Sequence, residues 1–550
     1  MSIRRRPGSA CARVAAALVL LQVPALAQVG GPAAQFDASV PTSEARFGSA
    51  LDADGARALV GALGYGSPAL RTGAASVVER ERGAWVERAF LVASDAGHLD
   101  EFGFAVAIDG DRALVGAHGW DAPAAPDAGA AYVFERQTDG TWLEVARLVA
   151  ALPGVFAHLG WSVALDGDRA VVGAVSDSAA GVLAGAALVF ERQADGTWLE
   201  VAKLADPLAQ FGDSLGHAVA LAGDDALVAA PLDDDAASSA GAVHVFRRDA
   251  SGAWSHVQQL SGGVGQPNAR FGQSIGADGA TAVIGTALSG QANNDPGRVY
   301  VFERDAAGVW SENQVLFGKT NSPYFGFGLD VDLADDLLVV GSRRNAFGSS
   351  GTGMVRAFRR EVSGAWTWLA DAAPSSADTF DRFGSAVAVI DDDEFLGGAW
   401  GTTVGGASTA GRVYATRVST LMQSAPTVSV AAPTAIDLVL FGGVERAGGL
   451  YVVAGSVSGT GPTAFEGIDV PLTFDAYTDH TLFAFGVAPL LANVGVLDSS
   501  GTATARFELP AGLASSFVGL TVHHAAIVIV PPVFWPPSLV TEPIGLVLVP

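Results

Sequence analysis

The residues that could act as a nucleophile are few in this chain of 550 residues. Gly212-Asp213-Ser214-Leu215-Gly216 spells both GDSL and GxSxG, and the segment from Gly272 to Gly276 is a second GxSxG. A serine nucleophile of this type needs a turn from a strand into a helix, with a partner histidine and acid downstream. Neither segment is followed by a helical pattern. We therefore expect no catalytic residue here.

Metal-ligand patterns are also absent from the sequence. The chain has nine histidines and one cysteine, Cys11, and His523-His524 is the only histidine pair. Adjacent residues on a strand point to opposite faces, so these two cannot hold one ion from that strand. We expect no metal ligands and no cofactor.

Acidic residues in long loops are the remaining candidates for a site. They fall between the second and third strands of a repeated unit, and they are Asp121, Asp127, Asp177, Asp233, Asp234, Asp235 and Asp295. Such loops meet on one rim of a ring, where ligands bind on a rigid scaffold. One interpretation is a set of solvated turns. The other is a ligand-binding rim for a cation or a cationic partner.

The unit that carries these loops recurs seven times. Its first marker is an apolar residue followed by Gly, and it returns every 55 to 57 residues. The marker positions are Phe47, Phe102, Leu159, Leu215, Phe271, Phe327 and Phe383. The segment GAAYVFER at Gly129 and a tryptophan such as Trp142 recur in the same phase. Three markers in phase indicate a repeat architecture.

Each unit is predicted to contain four antiparallel strands. FAVAI and RALVGA lie on either side of Asp109-Gly110, and YVFER and TWLEVARL lie on either side of Asp139-Gly140. Asp-Gly between two apolar runs is a hairpin signal. Four short strands per unit is the content of one β-propeller blade. Small residues in the first two strands suit positions near the axis of a ring, where neighbouring sheets lie close together. Aromatic residues in the later strands suit the outer part of the ring, where a large side chain fills the wider space between sheets.

The two ends of the array predict how it closes. The seventh unit ends at Gly411 to Arg417 without a tryptophan strand, and residues 28–36 form an orphan segment before the first unit. Phe36 precedes its marker by 11 residues, as do Leu91, Leu148, Leu204, Leu260 and Leu316, while Leu369 takes this position at a spacing of 14. We predict an all-β, seven-bladed ring whose last blade takes residues 28–36 as its outer strand. The alternative is an open solenoid with capping units.

The unit resembles the FG-GAP repeat, found in the integrin α-chain propeller and in many secreted bacterial proteins. Phe102-Gly103 followed by LVGA matches the FG…GA core, Ala230-Pro231 preserves the end of GAP, and the resemblance covers about residues 28–420. It implies a seven-bladed β-propeller with a role in recognition or adhesion. Many such repeats hold calcium in a DxDxDG loop, whereas here the nearest approach, Leu51 to Gly55, supplies too few oxygens. The calcium sites are not carried over, and only weak calcium binding stays open.

The first 27 residues are predicted to be a signal peptide. Three arginines at positions 4–6 precede an apolar run from Val14 to Leu21, and a small-residue site ends at Ala27, so that Gln28 begins the mature chain. The apolar run is too short to span a bilayer. The expected localisation is secreted or cell surface, without a transmembrane anchor.

A separate module is predicted at the C-terminal end. Residues 421–434 form a linker that leads into residues 435–550, where short apolar runs alternate with turns rich in Gly and Pro. This pattern favours a β-sandwich. It is similar to a module that recurs on large secreted bacterial proteins, and the similarity implies no activity.

Composition narrows the function. The chain has 57 acidic and 32 basic residues, a net charge of -25, and 49% hydrophobic residues. This excludes the basic face of a nucleic-acid binder and a disordered chain. We expect an exported, monomeric, non-enzymatic protein that binds an extracellular protein or carbohydrate in adhesion. Two alternatives stay open: a structural cell-surface or coat protein, and a polysaccharide hydrolase or lyase with carboxylates of shifted pKa converging at a central pocket.

Overall fold

The computed structural model describes residues 34–66, 70–81, 84–263, 266–286, 297–318, 326–342, 353–361, 364–373, 381–391 and 394–418, and short strands between 421 and 549. The predicted signal peptide, with its cleavage site at Ala27 and Gln28, and the loop residue Asp295 lie outside the described residues. Within the described part, no helix is long and apolar enough to cross a membrane.

Seven four-stranded antiparallel sheets follow one another along the chain after a short first strand, β1 (Ala34–Phe36). Blade 1 contains β2 (Leu51–Asp54), β3 (Arg57–Ala62), β4 (Ala74–Glu81) and β5 (Ala84–Leu91). Blade 2 contains β6 (Val106–Asp109), β7 (Arg112–Ala117), β8 (Ala130–Arg136) and β9 (Trp142–Leu148). Blade 3 contains β10 (Leu159–Asp166), β11 (Arg169–Ala174), β12 (Ala186–Arg192) and β13 (Trp198–Leu204). Blade 4 contains β14 (Val219–Ala222), β15 (Asp225–Ala230), β16 (Ala242–Arg248) and β17 (Trp254–Leu260).

The remaining three blades repeat this order. Blade 5 contains β18 (Ser274–Asp278), β19 (Thr281–Thr286), β20 (Arg298–Arg304) and β21 (Trp310–Phe317). Blade 6 contains β22 (Val331–Ala334), β23 (Leu337–Ser342), β24 (Met354–Arg360) and β25 (Trp366–Ala372). Blade 7 contains β26 (Val387–Asp391), β27 (Glu394–Ala399) and β28 (Arg412–Arg417), with β1 as its fourth strand.

The blades form a closed ring around a central channel. The first strand of each blade is innermost, and each of these strands contacts the first strand of the next blade. The series β2, β6, β10, β14, β18, β22 and β26 returns to β2. The predicted all-β propeller with seven four-stranded blades is therefore confirmed, and the open solenoid is excluded.

The N-terminal strand closes the ring as predicted. β1 pairs antiparallel with β28, with Phe36 opposite Val413. The Phe36 ring lies 5.8 Å from the Trp85 ring and 6.2 Å from the Phe47 ring of blade 1. Next to the strand, the Arg412 guanidinium forms a bidentate ion pair with Asp37, at 2.6 and 2.8 Å. β1 therefore joins blades 7 and 1.

One register position was predicted wrongly. In blade 6 the residue opposite Val355 is Ala372, not Leu369. Leu316 holds the equivalent position opposite Val299 in blade 5. Ala372 precedes Phe383 by the usual 11 residues. Register follows the backbone spacing that the ring imposes, so a small residue occupies this position where a large one was expected.

Two glycines allow neighbouring blades to approach closely in every repeat except blade 4, where Ala229 replaces one of them. A Cβ atom at Gly116 in blade 2 would lie 2.1 Å from the carbonyl oxygen of Gly160 in blade 3. Gly160 itself has a φ of +93°, a conformation that other residues rarely adopt. The first two strands thus carry glycine because the innermost sheets leave no room for a side chain at these points.

The rim that carries the first hairpins is joined by arginine side chains. Arg112 donates from Nη1 to the carbonyl of Gly167 in the next blade at 2.9 Å and pairs with Glu135 of its own blade at 3.1 Å. Blade 4 reverses the charges, because Asp225 replaces the arginine and Arg247 replaces the glutamate, with Nε and Oδ1 2.5 Å apart. Blades 1 to 4 therefore keep an ion pair at this position with either polarity, whereas blade 5 has Thr281 opposite Glu303 and blade 6 has Leu337 opposite Arg359.

The strands described beyond the propeller pair in two main sheets. One has the order β29, β31, β37, β35, and the other has the order β30, β40, β38, β32, β36 with β39 on β38. Their bounds are Leu421–Gln423 (β29), Thr427–Ser429 (β30), Thr434–Phe441 (β31), Leu450–Ser456 (β32), Thr463–Phe465 (β33), Ile468–Val470 (β34), Leu490–Leu491 (β35), Val494–Val496 (β36), Thr502–Leu509 (β37), Thr521–Ile529 (β38), Leu539–Val540 (β39) and Ile544–Val549 (β40). The segments between them lie largely outside the described residues, so the C-terminal sandwich stays a prediction.

Candidate ligand-binding site on the loop rim

The long loops of one blade meet the loops that lead into the next blade on a single rim. At the joint of blades 1 and 2, the N–H of Leu99 donates to the carbonyl of Leu70 at 2.8 Å. At the next two joints, Phe156 donates to Pro126 at 2.9 Å and Gly212 donates to Val182 at 3.2 Å. The expected convergence of both loop types on one rim is therefore present. We call this surface the loop rim.

Exposed apolar side chains gather on part of the loop rim. Phe156 is 51% exposed, Val182 is 62% exposed and Phe211 is 75% exposed. The full set at these three joints is Leu70, Leu99, Leu152, Val155, Phe156, Val182, Leu183, Leu208 and Phe211. We call it the apolar arc, because it follows the three consecutive joints of blades 1 to 4. Exposed apolar residues grouped in this way mark interaction sites more often than chance exposure does.

Two other described joints of the loop rim have polar residues at the hydrogen-bonded positions. At the joint of blades 4 and 5, the hydrogen-bonded residues are Ser238 and Asn268. At the joint of blades 7 and 1, they are Ser408 and Glu44. The same backbone contact therefore carries polar side chains at these two joints, so the fold alone does not require the apolar arc.

The residue before each marker has a left-handed backbone in all seven blades, and in six of them it is not glycine. The φ values are +57° at Arg46, +51° at Glu101, +55° at His158, +62° at Ser214, +52° at Arg270 and +57° at Arg382. This conformation is uncommon for residues other than glycine and has an energetic cost. It brings these side chains against the mouth of the central channel, where Arg46 lies 5.2 Å and Arg382 lies 4.1 Å from the centre of the Trp400 ring.

The mouth of the channel is lined by aromatic and histidine side chains. Phe104, Trp161 and His217 share one position in blades 2, 3 and 4, two residues after the start of each marker. The centre of the Phe104 ring lies 4.8 Å from that of Trp161 and 4.3 Å from that of His118. The Trp161 and His217 rings are 6.0 Å apart. We call this half-buried group the aromatic mouth.

Two titratable groups at the aromatic mouth have shifted pKa values. Burial, assisted by the nearby Arg270, lowers the pKa of His217 to about 4, so this ring is neutral at pH 7. Burial acts to raise the pKa of Glu101, but the hydrogen bond from His118 and the charge of Arg71 outweigh it and hold that pKa below its usual range. Beside these groups lies a cavity of about 330 Å³, whose lining includes Phe104, Arg382, Trp400 and Asp330.

Three aspartates lie deeper in the channel. Asp52 accepts a hydrogen bond from the N–H of Ile108 at 2.6 Å, and Asp330 and Asp332 accept bonds from Val387 and Val389 at 2.8 and 2.7 Å. Each bond joins the innermost strand region of one blade to that of the next. Burial, followed by the charge of Asp332, raises the pKa of Asp52 to about 8. Burial is also the main cause that raises the pKa of Asp330 and of Asp332 to about 7.

The acidic residues proposed from the sequence sit in separate loops of the loop rim. Asp121 accepts the N–H of Asp127 at 2.8 Å, and Asp234 accepts the N–H of Ser239. Asp235 accepts a bond from Gln210 Nε2 at 2.6 Å. Asp177 is buried and pairs with Lys203 Nζ at 2.6 Å. Asp233 is buried in blade 4, and Asp295 lies outside the described residues.

The structure brings together one group that could hold a metal ion and that the sequence analysis missed. Asp206, Asp233 and His244 are buried, and one ligand atom from each lies within 4.8 Å of the others. The three residues come from the loop before blade 4, its long loop and its third strand. No short spacing links them, so no sequence signal could have joined them.

The comparisons with known proteins agree with the repeat seen in the sequence. A family model described as FG-GAP repeat matches residues 85–134, 142–190, 198–246 and 254–302. No curated protein matches. A chain in a solved structure titled "Crystal Structure of Mitotic Checkpoint Complex" is 10% identical, with a TM-score of 0.43 over 76% of this chain and 98% of that chain.

The matched stretches begin at outer-strand tryptophans. The first starts at Trp85 in β5 and ends at Phe134 in β8, and so it joins the fourth strand of one blade to three strands of the next. In the same way, β1 is the fourth strand of blade 7 and directly precedes the first three strands of blade 1. Four stretches of the chain are therefore similar to the FG-GAP repeat, and they lie within a seven-bladed β-propeller closed by its own N-terminal strand.

Proposed function

We propose that this protein is an exported, non-enzymatic binding protein that uses its loop rim in adhesion, with a protein surface as its ligand. The observation that supports this most directly is the apolar arc. Nine exposed apolar residues lie on adjacent joints of one rim, while the equivalent contacts at two other joints are polar. Export rests on the predicted signal peptide.

The apolar arc favours a protein ligand over a small molecule. Its residues project from loops and are between 40% and 87% exposed, so they offer a broad surface. Small-molecule sites are concave and enclose most of the ligand. Protein interfaces have an apolar centre with a polar border. The aromatic mouth, with Arg382 stacked on Trp400, would contact a group of the ligand that reaches the axis.

The binding test compares two apolar surfaces of the same blades. A displayed library of fragments from extracellular proteins is selected on the immobilised mature chain. The double variant Val182→Ser with Phe211→Ser should lose at least ~10-fold in affinity for the selected fragments, because central apolar contacts contribute most of the binding energy. The control is Leu143→Ser with Leu199→Ser, which changes residues on outer strands that are 53% and 52% exposed. Loss of binding in the control alone would place the ligand on the outer strands and contradict the proposal.

The coat-protein alternative differs only in the partner. If the loop rim binds a second copy of the chain, the mature protein should associate as its concentration rises. Sedimentation velocity then separates the two functions, because the variant at Val182 and Phe211 would abolish self-association instead of heterologous binding.

The enzyme alternative has one observation in its favour. Asp330 lines the cavity beside Trp400, and burial raises its pKa to about 7, which suits a general acid. A hydrolase or lyase would release reducing or unsaturated sugar from a polysaccharide panel, and Asp330→Asn would abolish that release. Turnover that depends on Asp330 would replace the binding proposal.

A further inference from the structure

Blade 4 contains a buried histidine with two buried aspartates, and the neighbouring blades have other residues at the position of that histidine. His244 in β16 is opposite Val228 in the second strand of its blade. The equivalent residue is Tyr132 in blade 2 and Leu188 in blade 3. His244 is 1% exposed, and Asp206 and Asp233 beside it are 8% and 2% exposed.

The distances within this group are too long for hydrogen bonds. His244 Nδ1 lies 3.7 Å from Asp206 Oδ1, and His244 Nε2 lies 3.9 Å from Asp233 Oδ2. Ligand atoms around a tetrahedral zinc ion, with bonds of ~2.0–2.1 Å, are ~3.3 Å apart. If the ion binds Nε2, only the Nε2–Asp233 separation joins two ligand atoms, and it exceeds that value by ~0.6 Å. One ligand atom from each of the three residues lies within 4.8 Å of the others. A small contraction would let an ion join a nitrogen to a carboxylate oxygen.

The imidazole of His244 supplies an independent observation. Its Nε2 is buried and has no hydrogen-bond partner. Its Nδ1 lies 3.2 Å from Nε2 of His256 on the adjacent strand. A metal-binding histidine typically has its second ring nitrogen held by a hydrogen bond, which sets the tautomer and the ring orientation. His256 can do this for His244, and the unpartnered Nε2 then faces Asp233.

The two buried carboxylates of the group also favour binding of a cation. In blade 3 the buried Asp177 is paired with Lys203, which lies opposite Leu188 in the outer strand. In blade 4 the residue opposite His244 is the neutral Gln259. Among the described residues, no lysine or arginine forms a salt bridge with Asp206 or Asp233. Buried carboxylates need a cation or a metal as partner.

We propose that Asp206, Asp233 and His244 bind one divalent transition-metal ion of the zinc class, with His256 as a positioning residue. One imidazole with two carboxylates suits zinc, whereas calcium takes six to eight oxygens. The ion would tie the loop before blade 4, which carries Leu208 and Phe211, to the long loop and third strand of that blade. The site stands on its own geometry and does not depend on the proposed function.

The test uses the mature full-length chain, stripped with a chelator and then titrated with Co²⁺ or Zn²⁺. We expect one equivalent of Co²⁺, with the visible absorption of a nitrogen- and oxygen-ligated ion, and a higher Tm in Zn²⁺ because binding favours the native state. His244→Gln and Asp233→Asn should each weaken binding at least ~10-fold, and His256→Gln should weaken it by a similar or smaller factor. The control is Asp177→Asn, because Asp177 has the same loop position in blade 3 but faces a lysine. It should bind Co²⁺ as the unaltered chain does.

Several results would overturn the proposal. Absence of Co²⁺ and Zn²⁺ binding by the unaltered chain would show that Asp206, Asp233 and His244 are not a metal site. Equal loss in Asp177→Asn and Asp233→Asn would also reject the site. Displacement of Zn²⁺ by equimolar Ca²⁺ would reject the zinc class. If His244→Gln does not fold, Asp206→Asn and the cobalt spectrum of the unaltered chain decide the question.

Discussion

At the scale of single residues, the exchange of charges in blade 4 shows how an ion pair is kept when its polarity changes. Asp225 is fully buried and accepts hydrogen bonds from Arg247, Arg304 and the Trp310 ring nitrogen. Burial acts to raise its pKa, but these donors outweigh it and hold the pKa below the usual range. The sequence shows only that RALVGA becomes DALVAA. The partners from three strands are visible only in the structure.

Removing this carboxylate should destabilise the propeller. Asp225→Ala leaves Arg247 and the Trp310 N–H without their acceptor, and breaking a buried pair typically costs about 3 kcal/mol or more. We expect a lower urea midpoint of unfolding. The matched control is Asp224→Ala, because Asp224 is 67% exposed and its Arg169 contact is 3.6 Å. An exposed pair of this kind contributes at most ~1 kcal/mol, so equal losses would contradict the argument.

The channel aspartates should make stability depend on pH. The pKa of Asp52 rises on folding from 3.8 to about 8. The unfolded chain therefore ionises first, and the stability gained from the neutral carboxyl is present below pH 3.8 and is lost as the pH rises to about 8. Asp52→Asn keeps an acceptor for the N–H of Ile108 and removes the charge. We expect its Tm to match the unaltered chain at pH 4 and to exceed it by ~2 °C or more at pH 8.5.

Asp54 and Asp332 contribute to the field at Asp52, so the control is the adjacent Asp54→Asn. Asp54 is exposed and accepts the N–H of Gly110 at the hairpin. Asp54→Asn keeps the Asp52 carboxyl, so the Tm of this variant should still fall between pH 4 and pH 8.5. A difference for Asp52→Asn that does not grow with pH would show that its carboxyl is not the titrating group.

At the scale of elements, β1 is the strand on which ring closure depends. Its pairing with β28, the contact of Phe36 with Trp85 and the pair of Arg412 with Asp37 join both ends of the array. Deletion of residues 28–36 should lower Tm markedly and promote association, because β28 would become an exposed edge. Thermal unfolding and light scattering measure the two effects.

The control for this deletion removes nine residues between 421 and 434, a segment that was predicted to be a linker and that contains β29 and β30 of the C-terminal sheets. It shortens the chain equally but leaves the contacts of β1 with β28 in place, so the propeller should melt nearly as before. If the two deletions lower Tm alike, closure by β1 does not contribute to stability.

At the scale of the whole molecule, the predicted signal peptide would give the loop rim access to an extracellular ligand. N-terminal sequencing of protein recovered outside the producing cell should find Gln28, or a close neighbour, as the first residue. The variant Leu18→Arg interrupts the apolar run and should remain inside the cell with Met1 or its neighbour intact. Exported protein that retains Met1 would contradict the predicted signal peptide.

The sequence by itself determined the repeat, the four strands of each blade, their Asp-Gly hairpins and the closing strand. These features follow from alternation, turn chemistry and a spacing near 56 residues, all of which act over short stretches of chain and recur in phase. The sequence predicted Leu369 at the position that Ala372 occupies, because a large apolar residue holds this position in the other blades. Ala372 keeps the spacing of 11 residues to the next marker.

Only the tertiary structure decided which side chains share a surface. The apolar arc, the aromatic mouth and the group of Asp206, Asp233 and His244 each combine residues from different loops or blades. Closure of the ring brings those residues together, and their distances depend on where each loop turns on the rim. The repeat pattern in the sequence does not predict these contacts, because the side chains involved differ from blade to blade while the backbone that carries them is the same.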